Sequence, residues 1–380
     1  MNRLRHYAFG LASFSAALWL ACQPASPREE ALDSPATADG GSRADSGTSP
    51  GNDASDAGTG PAPVVRDAGE VEVDNDPFFG GAPEDIGPYA TEQERLTLDV
   101  GAASSSVSTE LTLVYPREAE SAPVVLFHPG FQLPADAYLS YGEHLASYGI
   151  LVVLVDPPDS ILGGPSHAEM ASHLGDILAW LGEQNQNARF PFTVDESRVG
   201  LAGHSMGGKI SLLFASQDTR PVAVAGIDPV DTAGGPFSEP DENNPSVTPE
   251  RMSQITVPIL LVGETLNGTC DGVFCQPCAP VEDNFQQYFE HATSPALEIE
   301  VVGANHISFL DDPDCGFACS VCPAGTDDPV FTRTLTQRYL NAFFQLHLFD
   351  ASAARTWLVG DRMDDDIEAN RVQTRSKNGF

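Results

Sequence analysis

The stretch Val199-Gly200-Leu201-Ala202-Gly203-His204-Ser205-Met206-Gly207-Gly208 decides the fold expected for this 380-residue sequence. Its first four residues predict a short buried strand, and the apolar spacing over residues 205–216 predicts a helix. Between them lies Gly-x-Ser-x-Gly, a pattern that in this context marks a sharp turn presenting a nucleophilic serine. The glycines leave room where a Cβ would collide with a neighbouring helix or strand. Ser205 is therefore the candidate nucleophile, and the alternative is a glycine-rich turn with a structural role only.

Further strands and helices alternate on both sides of this turn. Apolar runs or apolar–polar alternation predict strands over residues 95–100, 109–115, 124–127, 151–155, 222–227, 259–262 and 297–302. Helical spacing predicts helices over residues 138–148, 167–184 and 332–348. This order predicts an α/β fold with a mostly parallel central sheet, helices on both faces and right-handed crossovers. Functional side chains are expected at the carboxyl ends of the strands.

A nucleophilic serine needs an imidazole within hydrogen-bond distance to take its proton. Of the nine histidines, His306 follows the last predicted buried strand and comes after Ser205 in the chain, so it is the candidate base. His128, His167 and His204 are the alternatives, and His128 and His204 are expected near the pocket without acting as the base. Helical positions predict surface locations for His144, His173, His291 and His347.

The acid that orients the imidazole must be ionised. Asp228 directly follows the predicted strand at residues 222–227 and is the preferred candidate, with a cap or turn role as the alternative. A second placement follows the strand at residues 259–262, but Asn267 in that loop is neutral, and Glu264 lies close to the strand end. The acidic alternatives that stay open are Glu264, Asp231 and Asp271.

A tetrahedral intermediate needs two N–H donors for its oxyanion. One is expected from the backbone of Met206, the residue after the nucleophile. The second is expected from the turn at residues 128–132, with Phe131 as the preferred donor and Gln132 as the alternative. The ring of Phe131 would also line the acyl site. A simple strand-ending turn is the alternative interpretation of this segment.

The N-terminus has the features of an export signal. Arg3 and Arg5 precede an apolar run over residues 7–21, which is short for a membrane span. Residues 18–22, Leu-Trp-Leu-Ala-Cys, resemble a bacterial lipobox, in which Cys22 would be lipidated and become the mature N-terminus. We therefore predict that residues 1–22 direct the protein to the bacterial cell envelope as a lipoprotein. The alternative is a plain secretory signal that is cleaved nearby.

Charge and composition divide the rest of the chain. Residues 23–76 hold three Arg, twelve acidic residues and almost no large apolar side chains, which predicts a disordered acidic linker. Residues 77–380 are the predicted catalytic domain, in which the acidic run at residues 361–366 is expected to be solvated. The formal net charge of −35 excludes a protein held on nucleic acid by phosphate contacts and disfavours docking on anionic lipid. It also favours a monomer.

Seven cysteines agree with an oxidising compartment. If Cys22 is the lipid site, six remain in two clusters, and three disulfides with unresolved pairing are the preferred interpretation. Bridges between the clusters would close loops of about 40 residues around His306. The alternative is a structural zinc site, because two Cys-x-x-Cys pairs have ligand-like spacing. The six residues are Cys270, Cys275, Cys278, Cys315, Cys319 and Cys322.

Together these residues resemble the α/β-hydrolase superfamily. More narrowly, the chain is similar to the chlorophyllase branch and its relatives, the platelet-activating-factor acetylhydrolases and the cutinase-like polyester hydrolases. The likeness extends over about residues 95–348 and is carried by residues 123–131, 144–153, 203–208, 226–231, 277–280 and 305–312. In chlorophyllases the acid lies at the position that Asp228 matches, so the resemblance supports Asp228.

At some positions this sequence differs from the usual residues of these families. Chlorophyllases usually have Arg where this chain has Met206, and polyester hydrolases usually have their acid where it has Asn267. The cysteine-rich insertions and the N-terminal tether match neither pattern. The resemblance therefore implies a serine carboxylic-ester hydrolase acting on small or polymeric esters without a metal or organic cofactor, and it does not transfer chlorophyll as the substrate. An amidase or peptidase with the same triad and a catalytically silent surface-binding lipoprotein are the alternatives.

Overall fold

A nine-stranded sheet forms the centre of the computed structural model, which describes residues 76–158, 164–233, 239–269, 277–314 and 322–380. The sheet has the order β1-β2-β4-β3-β5-β6-β7-β8-β9. Strands β3 to β8 are parallel to one another, whereas β1, β2 and β9 pair with their neighbours in antiparallel fashion. The strands are Thr91–Val100, Val107–Pro116, Ser121–His128, Leu151–Asp156, Thr193–His204, Pro221–Ile227, Ile259–Glu264, Ala296–Val301 and Val372–Lys377.

Helices cover both faces of this sheet, which confirms the predicted α/β-hydrolase fold. In chain order, α1 to α7 are Leu139–Ser147, His167–Gln186, Met206–Ala215, Phe285–His291, Pro329–Leu348, Thr356–Val359 and Asp361–Glu368. Apolar side chains of α2, α3 and α4 share one core cluster, and those of α1, α5, α6 and α7 share the other. Because successive strand residues point to opposite faces, Leu126 of β3 lies in the first cluster and Phe127 in the second.

The expectation that the acidic run at residues 361–366 is solvated was wrong for Asp366, whereas Asp361, Asp364 and Asp365 are exposed. Asp366 is buried at the end of α7 because it accepts hydrogen bonds from Arg338, from Tyr339 at 2.8 Å and from Arg371 at 2.8 Å. Ion pairing and hydrogen bonding offset the cost of removing this carboxylate from water. The chain beyond α7 then adds β9 to the edge of the sheet.

Two histidines expected on helix surfaces are buried instead. His144 faces the segment before β1, where its Nε2 lies 2.7 Å from the carbonyl oxygen of Pro83. His173 is buried on α2. Burial lowers the pKa of both residues, so they are packed mainly in the neutral form.

Several predictions fall outside the described residues. These are the export signal with Cys22, the linker up to residue 75, Asp271, and the four cysteines Cys270, Cys275, Cys315 and Cys319. Residues 74–380 form one unit of the chain, whose described part begins at Asp76. No helix of the described ranges is both long and apolar enough to cross a membrane.

Candidate active site

Ser205 lies in a strained turn between β5 and α3. Its backbone has φ 54° and ψ −122°, in the left-handed half of φ space that non-glycine residues rarely adopt. A Cβ added at Gly203 would lie 2.3 Å from the carbonyl oxygen of Gly207, and one at Gly207 would lie 2.0 Å from that of His128. Both flanking positions therefore require glycine, and the turn holds the partly exposed Ser205 above the sheet.

The structure brings Ser205, His306 and Asp228 together. Nε2 of His306 lies 2.9 Å from Oγ of Ser205, and Nδ1 lies 2.6 Å from Oδ2 of Asp228. If Nδ1 carries its proton and donates to Asp228, then Nε2 is free to accept the hydroxyl proton of Ser205. These are the contacts that serine activation by a general base requires.

Asp228 reaches His306 from the end of β6. Its backbone φ is 41°, and its N–H donates to the carbonyl oxygen of Val262 on β7 at 2.6 Å. Burial raises the pKa of this carboxyl group, whereas the hydrogen bond from His306 and its charge lower it. At 2.6 Å, that bond favours an ionised Asp228.

The other described acid candidates have different partners. Oε2 of Glu264 accepts the backbone N–H groups of Leu266 and, at 2.6 Å, of Asn267. Asp231 forms a fully buried ion pair with Lys209, with Nζ and Oδ1 3.2 Å apart. It also accepts hydrogen bonds from Ser246, Val247 and Thr248. Asp231 thereby anchors the described part of the segment that follows β6.

Asn267 positions the backbone of the histidine loop. This fully buried residue accepts the N–H of His306 on Oδ1 at 2.9 Å and donates from Nδ2 to the carbonyl oxygen of Pro323 at 3.2 Å. Asn305 donates to the same carbonyl oxygen at 2.8 Å. Cys322, which directly precedes Pro323, forms a disulfide bridge with Cys278. One bridge therefore connects the two predicted cysteine clusters.

His204 connects the loop of His306 to the turn after β3. Its Nε2 lies 2.9 Å from the carbonyl oxygen of His306, and its Nδ1 lies 2.7 Å from the hydroxyl of Tyr138. Because a carbonyl oxygen only accepts, Nε2 carries the proton and Nδ1 accepts from Tyr138. The tyrosine oxygen in turn accepts the N–H of Gly130 at 3.1 Å. Burial, followed by the nearby His306, lowers the pKa of His204 well below its usual value, so it is neutral.

The turn after β3 lies directly against the turn at Ser205, as the close approach of Gly207 to His128 and Pro129 shows. The N–H of Gly130 is occupied by Tyr138, which leaves Phe131 and Gln132 as the candidate donors from this turn. Gln132 has a positive φ of 56°, and Phe131 is 45% exposed. Neither the N–H of Phe131 nor that of Met206 bonds to another residue within the described ranges.

Two of the other histidines have no contact with Ser205 that would make either of them the base. Nδ1 of His128 lies 3.0 Å from the carbonyl oxygen of Pro129, and His167 begins α2. Burial lowers the pKa of each to about 4. Across the described ranges, no group of three or more His, Cys, Asp or Glu side chains could hold a metal ion.

Comparison with known proteins places this site in a family. The model of the chlorophyllase family matches residues 85–359, which include every residue of the site. The chain belongs to the chlorophyllase family. It is 29% identical to chlorophyllase-2 of Arabidopsis thaliana over 224 residues, which cover 56% of this chain and 69% of the relative.

Two further relatives extend this similarity. The chain is 26% identical to chlorophyllase-1 of Arabidopsis thaliana over 271 residues, covering 68% of this chain and 82% of the relative. It is also 26% identical to cutinase 1 of Thermobifida cellulosilytica over 224 residues, which cover 58% of this chain and 73% of the relative. These findings confirm the resemblance predicted from the sequence. At the level of the family, they also confirm a serine hydrolase that acts on carboxylic esters.

Sequence reasoning missed several contacts around Ser205, His306 and Asp228. Tyr138, Asn267 and Lys209 carry no motif, and each acquires its role from partners distant in the chain. Lys209 was the one with a visible signal, because a lysine among the apolar residues of a buried helix needs an acidic partner.

Proposed function

We propose that this protein is an exported serine carboxylic-ester hydrolase in which Ser205, His306 and Asp228 form the catalytic triad. The observation that carries the proposal is the continuous pair of contacts from Ser205 through His306 to Asp228, at 2.9 Å and 2.6 Å. In the first step, Oγ of Ser205 attacks the ester carbonyl while Nε2 of His306 takes its proton. Asp228 holds the imidazole in the required tautomer and stabilises the imidazolium ion.

The alcohol then leaves with the proton that His306 carries, and the acyl group stays on Ser205. A water molecule loses a proton to His306 and attacks the acyl-enzyme, which releases the acid and restores the serine. The N–H groups of Met206 and Phe131 stabilise the oxyanion in both halves of the reaction. Within the described ranges, the N–H groups of Met206 and Phe131 have no hydrogen-bond partner, which supports this assignment; Gln132 is the alternative donor.

Ester turnover with a serine-directed probe tests this function. We expect the wild-type protein to hydrolyse short p-nitrophenyl esters and to be labelled and inactivated by a fluorophosphonate. Ser205→Ala should lose both properties. Ser216→Ala, which removes a buried hydroxyl at the other end of α3, should keep them. Turnover that survives either the phosphonate or Ser205→Ala would contradict the proposed mechanism.

Matched ester and amide substrates separate the proposed activity from that of an amidase. We expect the ester to be cleaved much faster than the anilide with the same acyl group. The reverse preference would identify an amidase. If the phosphonate labels the protein but neither substrate is cleaved, the result would indicate a binding protein that has kept the fold.

The location of the protein is proposed from its N-terminus. We propose that Cys22 is lipidated and anchors the enzyme in the cell envelope through the acidic linker, and that the charged domain is a monomer. Labelled palmitate should enter the wild-type protein expressed in a bacterial host and should be absent from Cys22→Ser. Palmitate incorporation into Cys22→Ser, or a soluble wild-type protein without palmitate, would indicate another route.

A further inference from the structure

Two buried carboxyl oxygens behind the triad have no hydrogen-bond partner among the described residues. They are Oδ1 of Asp228, whose other oxygen contacts His306, and Oε1 of Glu264. Glu264 is only 3% exposed and Asp228 is fully buried. A buried oxygen without a hydrogen-bond partner lowers the stability of the folded protein, because its lost hydration is not replaced. Two such oxygens in one site therefore need a physical explanation.

The two side chains extend from neighbouring strands. β6 and β7 are parallel, with Ile227 paired to Val262, and the N–H of Asp228 donates to the carbonyl oxygen of Val262. Asp228 and Glu264 therefore lie side by side at the carboxyl ends of these two strands. Burial and then the charge of Asp228 raise the pKa of Glu264 to about 8.

The groups around Glu264 do not compensate a second negative charge. Asp228 faces it from β6, Glu300 adds negative charge from β8, and His306 has its Nδ1 directed at Asp228. Within the described ranges, no lysine or arginine forms an ion pair with Asp228 or Glu264. Two neighbouring buried carboxylates without a cation cannot both be ionised, so one proton stays on the pair.

The remaining contacts indicate which residue carries that proton. Oδ2 of Asp228 already accepts from His306 at 2.6 Å, a short charge-assisted contact that favours the ionised form of Asp228. Oε2 of Glu264 accepts two backbone N–H groups, which leaves Oε1 as the only oxygen of Glu264 that can carry a donor hydrogen. A hydroxyl at Oε1 would be a donor for the unpartnered Oδ1 of Asp228, and both oxygens would then be satisfied.

We propose that Glu264 is a protonated positioning residue whose Oε1–H donates to Oδ1 of Asp228. The inference rests on the proposed triad and adds a fourth member behind it. The hydrogen bond fixes the plane of the Asp228 carboxylate so that Oδ2 faces Nδ1 of His306. The backbone contacts of Glu264 also link this carboxylate to Asn267, which holds the N–H of His306.

Two variants of Glu264 separate hydrogen bonding from charge. Glu264→Leu keeps the size but cannot donate, and we expect kcat to fall about 10–100-fold with KM nearly unchanged. Glu264→Gln offers an N–H donor and a carbonyl acceptor without a charge, so it should restore most of the activity that Glu264→Leu loses. The proposal is wrong if kcat of Glu264→Gln falls as far as that of Glu264→Leu. It is also wrong if neither variant has a lower kcat while both remain folded by circular dichroism.

Infrared spectroscopy tests the proton without requiring turnover. At pH 7, the difference spectrum between wild type and Glu264→Gln should contain the carbonyl band of a buried neutral carboxylic acid, and Asp228→Asn should retain that band. Loss of the band in Asp228→Asn together with its retention in Glu264→Gln would place the proton on Asp228 and overturn the inference. A wild-type protein that shows the band but hydrolyses no ester would refute the proposed function alone.

Discussion

The hydroxyl of Tyr138 lies 2.7 Å from Nδ1 of His204, and this contact joins the turn after β3 to the backbone of His306, the proposed base. The chain of hydrogen bonds runs from the N–H of Gly130 through Tyr138 and His204 to the carbonyl oxygen of His306. Its members lie on four separate segments of the chain. One neutral, buried network therefore fixes both the proposed oxyanion turn and the proposed base.

Removing the Tyr138 hydroxyl should reduce catalysis more than it reduces stability. Tyr138→Phe leaves Nδ1 of His204 without its donor and Gly130 without its acceptor, and we expect kcat to fall about tenfold. Tyr339→Phe is a matched control, because its buried hydroxyl bonds to Asp366 away from the site. Steady-state kinetics and urea unfolding should show similar losses of stability but a loss of kcat in Tyr138→Phe only. Equal kcat values would show that the network does not position the site.

Replacing the proposed acid should abolish most turnover without unfolding the protein. Asp228→Asn keeps the size of the side chain but favours the wrong tautomer of His306, so we expect kcat to fall by about 10⁴. Circular dichroism should stay that of the wild type. Activity within tenfold of wild type would assign the acid to another residue, with Glu264 and Asp271 as the alternatives.

The amide of Asn267 should be needed to hold the backbone of His306. Asn267→Ala removes the acceptor for the N–H of His306 and a donor to Pro323, and we expect a loss of about 1–3 kcal/mol of stability together with a 10–100-fold lower kcat. Asn284→Ala is the control, since Asn284 is equally buried and also bonds to the backbone, but at the start of α4. A similar fall in kcat for both variants would mean that general destabilisation lowers the activity.

The sequence was sufficient to predict the parallel strands and the turn at Ser205, because each produces a local pattern. Gly203 illustrates this, because a Cβ at this position would meet the carbonyl oxygen of Gly207 only four residues away. Other contacts join distant parts of the chain, and no local pattern reports them. Arg338 is 28 residues from Asp366, Pro83 is 61 from His144, and His306 is 39 from Asn267. An acidic run such as residues 361–366 is normally solvated, and only the fold places Arg338 next to it.

The Cys278–Cys322 bridge should stabilise the loop that supports His306. It spans 44 positions, and cross-links of this length contribute roughly 2–4 kcal/mol. Pro323, next to the bridge, accepts from both Asn267 and Asn305. The double variant Cys278→Ser/Cys322→Ser should therefore melt at a lower temperature and lose activity at temperatures where the wild type keeps it. Unchanged melting and activity would show that the hydrogen bonds alone hold this loop.

Acid should destabilise the protein through histidines that are buried in the neutral form. Burial lowers the pKa of His128 and His167 to about 4 in the folded protein, whereas an unfolded histidine titrates near 6.5. Between these values the unfolded state binds more protons, so the free energy of unfolding that these residues contribute is complete above pH 6.5 and falls as the pH drops towards 4.

Each of these groups contributes a slope of up to about 1.4 kcal/mol per pH unit. Folding raises the pKa of Glu264, so this residue makes the folded protein more stable as the pH falls. The effect of one histidine is therefore measured by comparing a variant with the wild type. His167→Gln should show a shallower loss of stability than wild type between pH 6.5 and 4 in urea titrations. His291→Gln, which removes an exposed histidine at the end of α4, should follow the wild type. If the two variants have the same slope, protonation of His167 does not contribute to acid unfolding.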